Sequence, residues 1–317
     1  MNIPIITYDA AKEKLTWPES VEALRSGHLL PRAQVADMFL GPAQGTLLSR
    51  GAYIEGLGFG VKSVTVFAGN ARKGLPSVQG AMFVFEPENG QLSAIIDSRL
   101  VTEFKTAADS VLGASLLMRP NSRNLLIVGA GTVARSLVKA YSAVFPNLER
   151  IAVWARRIEQ AQALVSEYKG LKVNIDIATD LPTATEEADV IATATMAREP
   201  VIKGEWIKPG AHVDLIGAYK ADMREANDGL ISTASLFVDS RETTINHIGE
   251  LAIPIANGVI TADTIKGDLY DLVKDSAAGR QSETEITLFK NGGGAHLDLM
   301  MARHIVEKAG AGGPAKT

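Results

Sequence analysis

Asn124-Leu125-Leu126-Ile127-Val128-Gly129-Ala130-Gly131-Thr132-Val133-Ala134 is the stretch that decides the fold. Its first five residues are almost continuously apolar, the pattern of a strand buried on both faces. A glycine turn follows at once, and a helical pattern runs from Thr132 to about Val144. Gly129 permits the tight turn. Gly131 lets the backbone approach a pyrophosphate at the helix N-terminus, where amides lack partners within the helix, and Ala134 fills the third small position, where helix and strand pack closely. A lone GxGxxA says little. Preceded by a strand and followed by a helix, it predicts a bound dinucleotide held by Gly129, Gly131, Thr132 and Val133.

Downstream, strands and helices alternate. Strands are expected at Arg150 to Trp154, Val173 to Ile177, Asp189 to Thr193, His212 to Ile216 and Ser235 to Asp239, with helices at Ile158 to Lys169 and Leu181 to Ala188. Apolar strands separated by helices predict an α/β domain with a doubly wound parallel sheet. Glu285 to Lys290 (EITLFK) is a last strand-like run. Ala295 to Ala309 reads as an apolar-faced helix able to pack back on the first domain, and the glycine-rich tail after it as frayed. Upstream the texture differs. Short strands at Gly60 to Ala68, Ser77 to Glu86 and Leu92 to Asp97, broken by Gly69-Asn70 and Pro87-Glu88-Asn89-Gly90, predict an antiparallel or mixed sheet. A helix from Thr102 to Met118 follows, Thr102 and Pro120 serving as its start and stop signals.

The end of the second strand reads Ala155-Arg156-Arg157, where NAD enzymes usually carry an acid for the ribose. Two guanidiniums suit a 2′-phosphate through paired hydrogen bonds, so NADPH is favoured, with NADH as the alternative. Thr195 lies past the fourth strand, and Gly217, Ala218 and Tyr219 past the fifth. These positions share the carboxyl edge of the sheet, where ligands bind in such folds.

Composition sets outer bounds. The chain has 317 residues, enough for about two domains. With no cysteine, thiolate metal sites, disulfides and a cysteine nucleophile are excluded. A formal charge of -4 offers no electrostatic case for nucleic acid. The five histidines lack metal-binding spacing, so no metal is expected. No apolar run is long enough to span a membrane and no secretory signal opens the chain, so the expected location is the cytoplasm.

The first domain offers Arg32, Arg50, Lys62, Ser77 and Lys105 as polar candidates. Lys62 sits among apolar strand residues. Lys105 falls early in the expected helix, where the macrodipole disfavours a cation unless it holds an anion. Here the chain resembles the ornithine cyclodeaminase/μ-crystallin family over almost its full length. The matching segments include Gly60-Val61-Lys62, Gly74-Leu75-Pro76-Ser77, the helix through Lys105-Thr106-Ala107-Ala108, IVGAG, Lys208-Pro209-Gly210-Ala211-His212, Asp239-Ser240-Arg241 and EITLFK.

The resemblance implies a homodimer. Residues 1–118 and 295–317 would form its dimerisation and substrate domain, and residues 119–294 a Rossmann domain between them. It implies that Arg32, Lys62 and Lys105 bind the substrate carboxylate and that Lys62 and Ser77 are the catalytic candidates, acting as proton relays. Lys105 stands where most members carry arginine, so a cation is kept and the planar fork is lost. Cyclodeaminases have an acid two positions past the glycine of the fifth strand, whereas this chain has Tyr219 there. The run from Gly217 to Glu225 is similar to the branch that reduces Δ1-pyrroline-2-carboxylate and Δ1-piperideine-2-carboxylate. The resemblance thus implies NAD(P)H-dependent reduction of a cyclic imino acid to L-proline or L-pipecolate. The alternatives are an open-chain imino acid reductase or alanine dehydrogenase, an ornithine cyclodeaminase, and a μ-crystallin-like NADPH-binding protein.

Overall fold

The computed structural model describes residues 3–42 and 44–310. The tail after residue 310, expected to fray, lies outside them. The chain forms two compact units, Met1–Ala108 with Gly294–Thr317, and Asp109–Gly293.

In the first unit, β1 (Ile5–Ile6), α1 (Tyr8–Ala11) and α2 (Trp17–Leu29) precede β2 (Gln34–Leu40), β3 (Thr46–Ile54), β4 (Gly58–Val66), β5 (Val78–Phe85) and β6 (Leu92–Asp97). The sheet runs β1-β6-β5-β4-β3-β2, antiparallel throughout except where β1 joins β6. The C-terminal helix Ala295–Ala309 belongs to this unit. It packs closely: a Cβ on Gly27 of α2 would lie 2.5 Å from Met300, and one on Gly60 of β4 2.9 Å from Leu299. Arg303 pins it to the sheet, its Nε donating to the Leu57 carbonyl at 2.7 Å.

Two expectations change here. The sheet begins earlier than Gly60, since β2 and β3 form a long hairpin with β4. α3 (Ser98–Leu117) also starts four positions before Thr102. Asp97 Oδ1 accepts from the Arg99 amide at 2.8 Å, so the aspartate ending β6 opens the helix, and the Thr102 hydroxyl bonds back to the Ser98 carbonyl inside it. Lys105 is therefore two turns into α3, and the macrodipole argument for it lapses. The boundary between the units falls within α3, at Ala108, ahead of the helix end at which the sequence reading places it.

The second unit contains β7 (Asn124–Val128), α4 (Thr132–Val144), β8 (Arg150–Trp154), α5 (Ile158–Glu167), β9 (Asn174–Ile177), α6 (Leu181–Glu187), β10 (Val190–Thr193) and β11 (His212–Leu215). After these come α7 (Asp228–Thr233), β12 (Ser235–Val238), α8 (Arg241–Thr244), α9 (Gly249–Ala256), β13 (Ile265–Asp268), α10 (Leu269–Val273) and β14 (Thr287–Lys290). The eight strands are all parallel, in the order β13-β12-β14-β11-β10-β7-β8-β9. This is the α/β doubly wound domain that the apolar runs predict. From β7 the chain winds outward to β8 and β9, then returns to add β10 and β11 on the other side. The switch point lies between β7 and β10, where a crevice opens at the carboxyl ends. EITLFK supplies β14, which enters between β11 and β12 and carries Lys290 into the interior.

Candidate functional site

In the second unit the glycine turn does what its residues dictate. Gly129 has φ +125°, and a Cβ there would lie 2.5 Å from the Ala194 carbonyl oxygen after β10. A side chain is excluded by both strain and space. Gly131 is the N-cap of α4, with no side-chain cap and nothing within 4 Å of where a Cβ would sit. Arg135 braces the loop, Nη1 donating to the Ala130 carbonyl at 2.8 Å while Nε and Nη2 grip Glu167. Thr132 is exposed and Val133 half-buried at the helix start. An uncapped helix N-terminus beneath a side-chain-free turn fits a dinucleotide pyrophosphate.

Beyond β8 lies a cavity of about 480 Å³ lined by Ala155, Arg156, Arg157, Glu159 and Thr179 among others. Arg156 and Arg157 are exposed and make no ion pair among the described residues, so their guanidinium donors remain available to an anion. Glu159 shares the lining and brings one carboxylate to the same cavity.

At the ends of β10 and β11 the structure shows a residue to which the sequence assigns no role of its own. Glu225 is fully buried. Its Oε1 accepts from the Thr195 amide at 2.8 Å and the Thr195 hydroxyl at 2.7 Å, and its Oε2 from the Thr193 hydroxyl at 2.8 Å and the Gly217 amide at 2.6 Å. Thr195 and Gly217 are thus brought together, and a Cβ on Gly217 would lie 2.0 Å from the Thr195 carbonyl. Glu250 in turn accepts from the amides of Glu225 and Ala226 at 2.7 and 2.9 Å. The run Asp222-Met223-Arg224-Glu225 is charged and reads as an exposed loop, so no local signal marks Glu225 as buried. Tyr219, by contrast, is 49% exposed.

Under the same edge Lys290 is fully buried, its Nζ donating to the carbonyls of Leu215 and Asn291 at 2.7 and 3.0 Å. Burial pulls its ammonium below the usual lysine range, against the pull of Glu250, Glu225, Asp239 and Asp214. Burial pushes Asp214 and Glu250 each up to about 7.

In the first unit Lys62 on β4 is buried and donates to Asp298 Oδ1 of the C-terminal helix at 2.6 Å. Burial lowers the Lys62 pKa and Asp298 opposes that; Lys105 and Arg50 add to the lowering. Burial alone would raise Asp298, but Lys62, Lys105 and Arg50 together hold it below its ordinary value. Lys105 is equally buried, and its ammonium makes no hydrogen bond or ion pair among the described residues. His296 is pushed well below its ordinary value by burial and then by His28, Lys105, Arg50 and Arg32, and is neutral. Arg50 also grips Asp37 across the β2–β3 pair, Nη2 to Oδ2 at 2.8 Å. Arg32 is exposed just before β2 and contributes to the field at His296. Ser77 is half-buried at the entry to β5; its carbonyl accepts from the Phe67 amide at 2.8 Å, and its hydroxyl bonds no described residue. Lys62, Lys105 and Arg50 thus act together on the Asp298 carboxylate, Arg32 acts on the neighbouring His296, and Ser77 is not bonded into that set.

Residues 24–313 match the ornithine cyclodeaminase/mu-crystallin family. The chain belongs to that family. A relative from Paracoccus denitrificans, a Δ1-pyrroline-2-carboxylate reductase, is 64% identical over 95% of each chain. Among solved structures, the Δ1-pyrroline-2-carboxylate reductase of Thermococcus litoralis in complex with NADH and L-proline superposes with a TM-score of 0.91, at 30% identity and 97% coverage of both chains. An archaeal alanine dehydrogenase dimer with bound NAD also reaches 0.91, at 28% identity, covering 98% of this chain and 96% of that one. Family members differ in chemistry, so the fold alone does not choose among them.

Proposed function

We propose that this family member is an NAD(P)H-dependent reductase that converts a cyclic imino acid, Δ1-pyrroline-2-carboxylate or Δ1-piperideine-2-carboxylate, to L-proline or L-pipecolate. The observation that carries the substrate class is the charge imbalance in the first unit. Lys62 and Lys105 are both buried, yet among the described residues only Asp298 pairs with either of them, and Arg50, itself paired with Asp37, adds to the positive field at Asp298. Buried cations demand anions, and a substrate carboxylate supplies the missing one. The 64% identical reductase supports the same reading.

In this reading Lys105, Lys62 and Arg32 hold the carboxylate through charge-assisted hydrogen bonds. Gly129, Gly131, Thr132 and Val133 hold the pyrophosphate. Ala155, Arg156 and Arg157 hold the adenosine side, and Thr195, Gly217 and Tyr219 border the nicotinamide. When bound, the reduced nicotinamide supplies a hydride to the imine carbon. The chain's own residues supply the proton. Lys62 delivers it to the ring nitrogen, directly or through water, with the Ser77 hydroxyl as the other candidate relay. Protonation makes the carbon electrophilic; one C–H and one N–H bond form as the C=N double bond becomes single. Asp298 holds the Lys62 ammonium in place. Tyr219, in the position of the cyclodeaminase acid, leaves no carboxylate there for deamination.

Arg156 and Arg157 favour NADPH. Among the described residues no helix is long and apolar enough to cross a membrane, and a cytoplasmic location is part of the same proposal. So is a homodimer. The edge strand β2 exposes Met38, Phe39 and Leu40, an apolar run that a second copy would cover.

The test is loss of the reduced nicotinamide's near-ultraviolet absorbance on mixing the protein with NADPH or NADH and each of the two cyclic imines, or pyruvate with ammonia. Rapid oxidation with a cyclic imine is the expected result. Oxidation only with pyruvate and ammonia would replace this reading with an open-chain one. Arg156→Asp should raise the KM for NADPH about tenfold, the worth of one charge-assisted contact. An unchanged NADPH/NADH ratio would remove the phosphate assignment.

A further inference from the structure

We propose that Glu225 is a positioning residue for the nicotinamide half of the dinucleotide, clamping together the chain segments that leave β10 and β11. Its role rests on the dinucleotide site proposed above and not on the imine chemistry. The sheet order places it. The glycine turn after β7 faces the pyrophosphate, and the cavity past β8 takes the adenosine side. The ends of β10 and β11, on the opposite side of β7, therefore fall to the nicotinamide. These are the ends that Glu225 joins, through two donors from Thr195, one from Thr193 and one from Gly217.

The carboxylate cannot be replaced by its amide without loss. Each Glu225 oxygen accepts one hydroxyl and one backbone amide: Oε1 from Thr195 Oγ1 and Thr195 N, Oε2 from Thr193 Oγ1 and Gly217 N. A hydroxyl can turn round to accept; a backbone N–H cannot. Whichever way a glutamine amide is oriented, its NH2 meets one backbone N–H, and either the Thr195 or the Gly217 segment must move away. Neither segment has room to adjust inward, because a Cβ on Gly217 would already lie 2.0 Å from the Thr195 carbonyl. Glu225 itself is fixed from behind, its amide donating to Glu250 and its carbonyl accepting from Val201 and Ile202.

The experiment compares two ligands, NADPH and ADP-ribose, the second carrying the adenosine and pyrophosphate but no nicotinamide. Affinities are measured by calorimetry on wild type, Glu225→Gln and Thr193→Val. Thr193 is fully buried, and its hydroxyl bonds only Glu225 among the described residues, so it can act only through the clamp. Glu225→Gln should weaken NADPH about tenfold and Thr193→Val about threefold, sizes set by the loss of one charged or one neutral hydrogen bond. ADP-ribose should stay within about twofold of wild type in both. Where Glu225→Gln does not fold, Thr193→Val alone decides the matter. Equal weakening of the two ligands, or none of either, overturns the proposal. Failure of wild type to bind either ligand removes the dinucleotide site and Glu225's role with it, whereas binding without imine turnover leaves the clamp standing and the proposed reaction wrong.

Discussion

The two units bury charge with opposite signs and to opposite ends. Beneath the carboxyl edge of the parallel sheet, Glu225, Glu250, Asp214 and Asp239 surround one lysine, Lys290. Most of those acids are satisfied from the protein itself: Glu225 takes four hydrogen bonds, and Asp239 binds Ser240, Thr244, Gly292 and Gly293. In the first unit the excess is positive. Lys62 has Asp298, while Lys105 makes no bond of its own to a described group. Acids that close on backbone amides hold loops in place. Cations left short of anions invite one in. In the function proposed above, the first arrangement positions a cofactor and the second seats a substrate.

The largest expected effect that could break this comparison is at Lys62. Lys62→Met should lower kcat/KM for the cyclic imine about a thousandfold, by removing both a charged contact and the proton donor. NADPH affinity should hold. It should also destabilise the protein by roughly 3–5 kcal/mol, because Asp298 is left as a buried unpaired charge. Adding Asp298→Asn should restore the melting temperature without restoring turnover. Activity recovering along with stability would show that the pair is architecture only, like the acids of the other unit.

Next in size is Gly129→Ala. A β-carbon 2.5 Å from the Ala194 carbonyl at φ +125° should cost on the order of 2 kcal/mol or more. It should abolish measurable dinucleotide binding in a titration, while the substrate-unit ion pair is untouched. Normal binding would show that the turn is not the cofactor's cradle.

The smallest effect sharpens the acid cluster. Asp214 is held up to about 7 by burial, although Ser110, Lys290 and Tyr141 favour its charge and only Glu225 adds to the rise. Its ordinary value is 3.8, so the folded form binds the proton more tightly than the unfolded one. Its contribution to stability is complete below about pH 4 and is lost as pH rises through about 7. Melting curves of wild type and Asp214→Asn across that range should diverge, with wild type losing ground to the variant as pH rises. Parallel curves would show that Asp214 does not change its proton in the fold.

Legibility follows the same division. The strand at Asn124–Val128, the helix at Thr132–Val144 and the C-terminal helix at Ala295–Ala309 fall where the sequence reading puts them. The β2–β3 hairpin does not. Gln34–Leu40 is an edge strand with every residue partly or fully exposed, and without an inward face it shows no alternation to read. The helix start misplaced to Thr102 has a local cause: two start signals stand five residues apart, and the one nearer the strand, Asp97, prevails.

What the sequence by itself determined is the dinucleotide half: a buried strand, a turn that only glycine can make, a helix start and two arginines past the next strand. All lie within about thirty-five residues, and their interactions are mostly between neighbours or backbone groups. Only the tertiary structure decided the charged interiors. Lys62 and Asp298 are 236 residues apart, Lys290 arrives on a strand inserted between β11 and β12, and Glu225 reaches back to the ends of two strands. A buried charge is fixed by what surrounds it in space, and no spacing along the chain announces which distant side chain will be its partner.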